Sequence, residues 1–165
     1  MQNHYDYSFD EETLTYSFIT KNDITYRVAF VADESLSLIA DTTFDNTYQI
    51  VIEKVSASLE PLDNLVSKTV NAIIVRFFEN VQHALLYVCS DSEHRAAIRY
   101  KVFHRWYRNS DYREYIVKVD NPVSYIIEGH SYTLYTSLLY HKDHPSIHSI
   151  LDVYSQLEAI LNAEK

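Results

Sequence analysis

The stretch Asp63–Cys89, DNLVSKTVNAIIVRFFENVQHALLYVC, holds the two contrasting patterns that decide the fold. Its first part places Val66, Val70, Ile73, Ile74, Phe77 and Val81 at helical spacing, an apolar stripe on an otherwise polar helix. Asp63, two residues after Pro61, is suited to cap the first turn, because its carboxylate can accept from an amide that a helix start leaves free. The last part, Ala84–Cys89, is apolar without interruption and of strand length, which predicts a central strand covered on both faces.

Toward the N-terminus the period changes to two. Tyr5, Tyr7 and Phe9 alternate with polar residues, as do Leu14, Tyr16 and Phe18, and then Ile24, Tyr26, Val28 and Phe30. The breaks at Asp10-Glu11-Glu12 and Lys21-Asn22-Asp23 are short and polar, so these segments predict a meander of antiparallel hairpins with one buried face. A fourth strand is expected at Tyr48–Lys54.

Toward the C-terminus a second helix is expected over residues 91–108, opened by Ser90 and Glu93 in capping-box spacing and ending near Asn109-Ser110. Strands are expected at 114–119, 123–127 and 132–140. A last helix starts at Pro145, with Ile147, Ile150, Leu151, Tyr154, Leu157 and Leu161 as its buried stripe. The order β-β-β-β-α-β-α-β-β-α predicts one α+β domain spanning residues 1–165. Its sheet is largely antiparallel, of about six to eight strands, with three helices packed mainly on one face.

Composition narrows the function. At 165 residues, 47% hydrophobic and 22% charged, the chain can bury one sizeable core. No apolar run reaches membrane-spanning length and the first ten residues lack a signal-peptide pattern, so a cytoplasmic protein with no membrane partner is expected. The single cysteine, Cys89, agrees with a reducing compartment. Only one glycine, Gly129, is present, which excludes the glycine-rich loops that bring backbone amides up to phosphates. No cofactor is expected.

The net charge of −9 is uneven: residues 1–64 carry 12 acids and 3 bases, whereas residues 65–165 carry 11 of each. The acidic meander reads as a solvated face or as a surface that steers a basic protein. Residues 93–118 concentrate seven bases, Arg95, Arg99, Lys101, Arg105, Arg108, Arg113 and Lys118. On a helical wheel Lys101, Arg105 and Arg108 share a solvated side with His94 and His104, opposite Val102, Phe103, Trp106 and Tyr107. Arg95 and Arg99 fall at the border, where they either lay their stems on Trp106 and pair with sheet carboxylates or bind an anion or acidic partner at the helix's positive end.

Three motifs invite chemistry. Cys89 and Arg95 stand at the Cys-x5-Arg spacing of cysteine-dependent phosphatases, between a strand and a helix. The intervening residues argue against that use, since Asp91 and Glu93 would repel a phosphate and the capping box would occupy its amides. His141, Asp143, His144 and His148 resemble metal ligands, but Pro145 places His144 at or before the helix cap, which favours a surface loop with scattered histidines. The basic, aromatic helix 91–108 could also stack on unpaired nucleic-acid bases, an option opposed by a pI near 5.2.

The runs Ser67-Lys68-Thr69, Arg76-Phe77-Phe78, Tyr87-Val88-Cys89-Ser90-Asp91 and Arg99-Tyr100-Lys101, together with Phe103 and Arg105-Trp106-Tyr107, resemble a family of small bacterial proteins classed as a domain of unknown function. The likeness extends to the opening Tyr7–Glu12 and to the terminal helix. It implies a bacterial, cytoplasmic, stand-alone domain and supplies no functional residue. The sequence thus predicts a non-enzymatic interaction or regulatory protein that binds another protein, or a second copy of itself, through Arg95, Arg99, Lys101, Arg105 and Trp106.

Overall fold

In the computed structural model, which describes residues 3–59, 61–89 and 95–163, the alternating N-terminal segments pair as their periodicity demands. β1 (Tyr7–Asp10), β2 (Thr15–Ile19) and β3 (Thr25–Ala32) form an antiparallel meander, with Tyr16 opposite Val28 and Phe18 opposite Tyr26. The period-two residues therefore share one face, where Tyr7, Tyr16, Phe18, Tyr26, Val28 and Phe30 enter one core. β4 (Thr47–Lys54) joins the sheet antiparallel to β3. Between them lies a short helix, α1 (Ser35–Ala40), absent from the sequence expectation. The buried Asp33 sets it, accepting from the Leu36 amide, the Ser35 hydroxyl and the Gln49 side-chain amide.

α2 (Asn64–Phe77) starts as expected, with Asp63 accepting from the Leu65 amide at 2.9 Å. Val66, Val70, Ile73, Ile74 and Phe77 are buried, but Val81 lies beyond the helix end and is exposed. β5 (Ala84–Cys89) runs parallel to β4 and antiparallel to the long β8 (His130–His141). The parallel pairing joins only Thr47–Gln49 to Ala84–Leu86. β4 continues to Lys54 and β5 to Cys89, so their carboxyl ends separate.

After α3 (Ala96–Arg108) and a 3₁₀ turn at Asp111–Glu114, β6 (Ile116–Asp120) and β7 (Val123–Ile127) run in succession along the other edge of β8. Asp120 faces Ser137 and Val123 faces Leu134, so one register carries across Asn121-Pro122. The interruption coincides with Pro122, which has no amide to give the ladder. The sheet order is β1-β2-β3-β4-β5-β8-β6, with β7 on β8. Two helices close the chain, α4 (Ile147–Ser155) and α5 (Leu157–Ala163).

β5 divides the interior, because adjacent residues point to opposite faces. Leu85 joins the core beneath α2 and α3, whereas Ala84 and Leu86 join a second core with Leu36, Ile147, Ile150, Tyr154 and Leu157. The α+β class and the mainly antiparallel sheet stand, with one refinement: the terminal helix packs on the opposite face from α2 and α3, and it breaks at Gln156. Pro145 stays outside it, Ser146 taking the cap position. The Ser90–Glu93 capping box and the Leu161 side chain lie outside the described residues. No helix among the described residues is long and apolar enough to cross a membrane.

Candidate functional site

α3 carries Arg99, Lys101, Arg105 and Trp106 of the expected contact surface, with Arg95 at its N-cap, and its packing decides which of them reach solvent. Ala96 and Phe103 are buried; Phe103 stacks on Tyr87 of β5 at 3.9 Å between ring centroids, and Tyr107 donates to the Ile116 carbonyl at 2.7 Å. These contacts keep the apolar side of the helix where the wheel placed it, with Phe103 buried and Val102, Trp106 and Tyr107 half-buried. Arg95 and Arg99, expected at the stripe border, are exposed, as are Lys101, Arg105 and Arg108. Ile98 lies among them with 63% of its surface exposed. Trp106 is half-buried against the first core, and its carbonyl accepts from the Asn71 side chain at 3.2 Å. Trp106 therefore anchors the helix more than it presents it.

Beneath α3 lies a charge cluster that the sequence reading did not assemble. Lys118 of β6 has a side chain only 2% exposed, because α3 covers it. Its ammonium donates to Asp120 and to Nδ1 of His104 at 2.9 Å, and lies 5.4 Å and 5.9 Å from the ring centres of Tyr100 and Tyr107. Ser137 donates to the same Asp120 carboxylate at 2.7 Å. Because Nδ1 accepts, the neutral His104 ring keeps its proton on Nε2. Burial and the neighbouring Lys118 charge lower the His104 pKa. Burial alone would raise the Asp120 pKa, but hydrogen bonds from Lys118 and Ser137 outweigh it and hold the carboxyl below its usual range. Tyr100 is pushed up to about 12, chiefly by burial. His104, expected on the solvated side, is thus turned toward the sheet. Lys118 and Asp120 stand two residues apart on a strand, the spacing that puts both on one face, and this was the available signal.

The Cys89–Arg95 pairing fares poorly. Cys89 ends β5 as a buried thiol whose pKa is raised by burial, against the opposing effects of its hydrogen bond with Tyr87 and the charge of Arg99. A nucleophile needs the thiolate, so this environment works in the wrong direction. Residues 90–94, the loop of that motif, lie outside the described residues.

The histidine cluster is dispersed. His141 Nδ1 accepts from the Asp143 amide at 3.0 Å, His144 is buried with Nδ1 accepting from the Ser146 amide at 3.0 Å, and His148 is exposed on α4. His144 precedes the helix, so it and His148 do not share a helical face. Among the described residues no group of three His, Cys, Asp or Glu could hold a metal ion.

A model of a family of unknown function, DUF6169, matches residues 62–156, more than half of the chain. The matched span runs from just before α2 to the end of α4, leaving the N-terminal meander and its Tyr7–Glu12 stretch outside. No curated protein matches the chain. Among solved structures, one described as a "putative phosphinothricin N-acetyltransferase" is similar at 11% identity and a TM-score of 0.45, over 81% of this chain and 75% of that one. At that identity no residue role passes between the two.

Proposed function

Because the chain belongs to the DUF6169 family, whose members have no assigned function, we propose a role from its surface chemistry: α3 is the contact helix of a non-enzymatic interaction or regulatory protein that docks an acidic segment of another protein. The observation that carries this reading is an apolar residue, Ile98, 63% exposed within a field of exposed bases, Arg95, Arg99, Lys101, Arg105 and Arg108. An exposed aliphatic side chain offers an anchor, and the surrounding like charges steer and orient an acidic partner. The overall charge of −9 weighs against nucleic acid, whose phosphate backbone the remainder of the surface would repel.

The test compares proteins recovered by wild type with those recovered by Ile98→Asp/Arg105→Glu, a variant changed only at exposed positions. Loss of specific partners with an unchanged unfolding transition supports the assignment. Retention of every partner overturns it.

A second reading rests on the separation of β4 and β5. In open sheets ligands favour the crevice outside the carboxyl ends of diverging strands. Arg99 stands beside this end, with its carbonyl 3.5 Å from the Tyr87 hydroxyl. An anionic small ligand would suit that position. Inorganic phosphate that fails to raise the melting temperature at fixed ionic strength, or raises it equally in Arg99→Ala, removes this alternative.

A further inference from the structure

The tip of the β1–β2 hairpin, at the sheet edge away from α3, combines negative charge with exposed apolar surface. Asp10 pairs with Thr15 at the end of the ladder, and between them Glu11, Glu12, Thr13 and Leu14 are all exposed. Leu14 is 58% exposed and Phe9, beside the tip, 46%. The first lysine or arginine of the chain is Lys21, beyond the far end of β2, so the three carboxylates Asp10, Glu11 and Glu12 have no base beside them in sequence. Leu14 holds a left-handed φ of 53°, which glycine adopts at lower cost, and its side chain joins neither core. Folding alone gives no reason for a leucine there.

α3 presents the complement. Ile98, Lys101, Arg105 and Arg108 follow at steps of three, four and three residues, which places them on one stripe of the helix, and all four are exposed. Among the described residues no carboxylate forms an ion pair with these three bases. One element thus offers an aliphatic side chain beside three cations, the other an aliphatic side chain beside three anions.

The two cannot meet within one chain. Four strand spacings, roughly 19 Å at about 4.8 Å each, separate β1 from β5, on which Phe103 of α3 stacks through Tyr87. α2 packs on the intervening face.

We propose that the hairpin tip of one copy docks on the α3 stripe of a second copy, with Leu14 against Ile98 and with Glu11 and Glu12 facing Lys101 and Arg105. This rests on the reading of α3 given above and names the acidic segment that it takes. Each chain offers one tip and one α3, so the contact is head-to-tail. It is small, which makes the association weak and sensitive to screening by salt.

Sedimentation of the purified chain at low ionic strength provides the test. The wild type is expected to gain mass with concentration and to return to monomer as salt is raised. Glu11→Arg/Glu12→Arg and Lys101→Glu/Arg105→Glu, changed only at exposed positions, should each weaken association by about tenfold or more, because like charges then face one another. Mixed in equal amounts, the two variants should associate again, since each carries the complement of the other's altered element. Leu14→Gly should weaken association severalfold. A wild type that stays monomeric, charge reversals without effect, a mixture that stays monomeric, or full association by Leu14→Gly each overturns the proposal. A monomeric wild type whose α3 amides still shift on titration with hexaglutamate overturns self-docking alone and leaves α3 as a site for acidic segments of other proteins.

Discussion

In the N-terminal half of the sheet, β1 to β4 bury one face and leave the other to water; in the C-terminal half, β5 and β8 are buried on both. Val31 and Val51 on the bare face are 52% and 48% exposed, whereas Leu138 and Leu139, neighbours on β8, are both fully buried, one in each core. Coverage on two faces requires apolar residues at consecutive positions, and coverage on one requires them only at alternate positions. Sensitivity to mutation should follow the same periods. Leu138→Ala and Leu139→Ala are each expected to cost about 2–5 kcal/mol in urea unfolding, from lost burial and the cavity left behind. On β4 the expectation alternates: Ile50→Ala is costly, while Val51→Ala changes stability by less than about 0.5 kcal/mol. An alternating profile along β8 would break the comparison.

The same contrast marks what was legible in the sequence. Ala84–Cys89 was readable to the residue because a central strand has no polar positions to blur its ends. The meander was readable because each strand keeps strict alternation. α1 was not, since six residues, SLSLIA, are too short to establish a period, and what fixes them is a tertiary hydrogen-bond set around Asp33. The contact helix and its apolar side were legible, but the turn of His104 toward the sheet was not, because Lys118, its partner, is distant in sequence. His144 was expected in a surface loop and is buried: residue type predicts exposure only on average, and burial of a polar side chain depends on which neighbours the topology brings to it.

The charges on the two sides of α3 offer a second comparison. Arg105 points to water and Lys118 lies beneath the helix, so the two should respond differently to truncation. Lys118→Ala leaves Asp120 and His104 without their shared donor and is expected to cost about 2 kcal/mol, less than for a fully enclosed pair because both partners still reach solvent. Arg105→Ala is expected to cost under about 0.5 kcal/mol. In the double variant Lys118→Ala/Asp120→Ala, the loss should be smaller than the sum of the singles. Strict additivity would show that the cluster is not coupled.

Acid provides a finer probe, because each face of the sheet holds one histidine with a lowered pKa. Burial lowers both, aided at His104 by Lys118 and opposed by Asp120, and opposed at His144 by the Gln82 carbonyl. The unfolded chain, with histidine near 6.5, binds protons at higher pH than the folded one. The stability these residues contribute is therefore complete above that value and is lost as pH falls through the folded pKa values. Chemical unfolding measured from neutral to mildly acidic pH should show this decline. His144→Gln should flatten it more than His104→Gln, since His144 is buried and His104 is 41% exposed at its side chain. The reverse order would mean that the α3 side, not the His144 side, governs acid sensitivity.

Turns distinguish the halves most subtly. The β7–β8 turn joins Ile127 to His130 through Glu128 and Gly129, with φ of 50° and 81°, the two-residue form that demands left-handed residues, and the only glycine of the chain is placed there. The β1–β2 turn instead relies on Asp10, whose carboxylate accepts from the amides of Glu12 and Thr13, and forces the exposed Leu14 to a φ of 53°. No atom lies within 4 Å of a methyl group added at Gly129, so Gly129→Ala should cost about 1 kcal/mol from backbone strain alone. Leu14→Gly relieves the corresponding strain but adds freedom to the unfolded chain, which takes back part of the gain. The expected net is a stabilisation of roughly 0.5 kcal/mol, visible as a small rise in the urea midpoint without a change of slope. If Leu14→Gly instead destabilises, the leucine side chain contributes packing at this turn that outweighs its strained backbone, and the two turns are held by different forces.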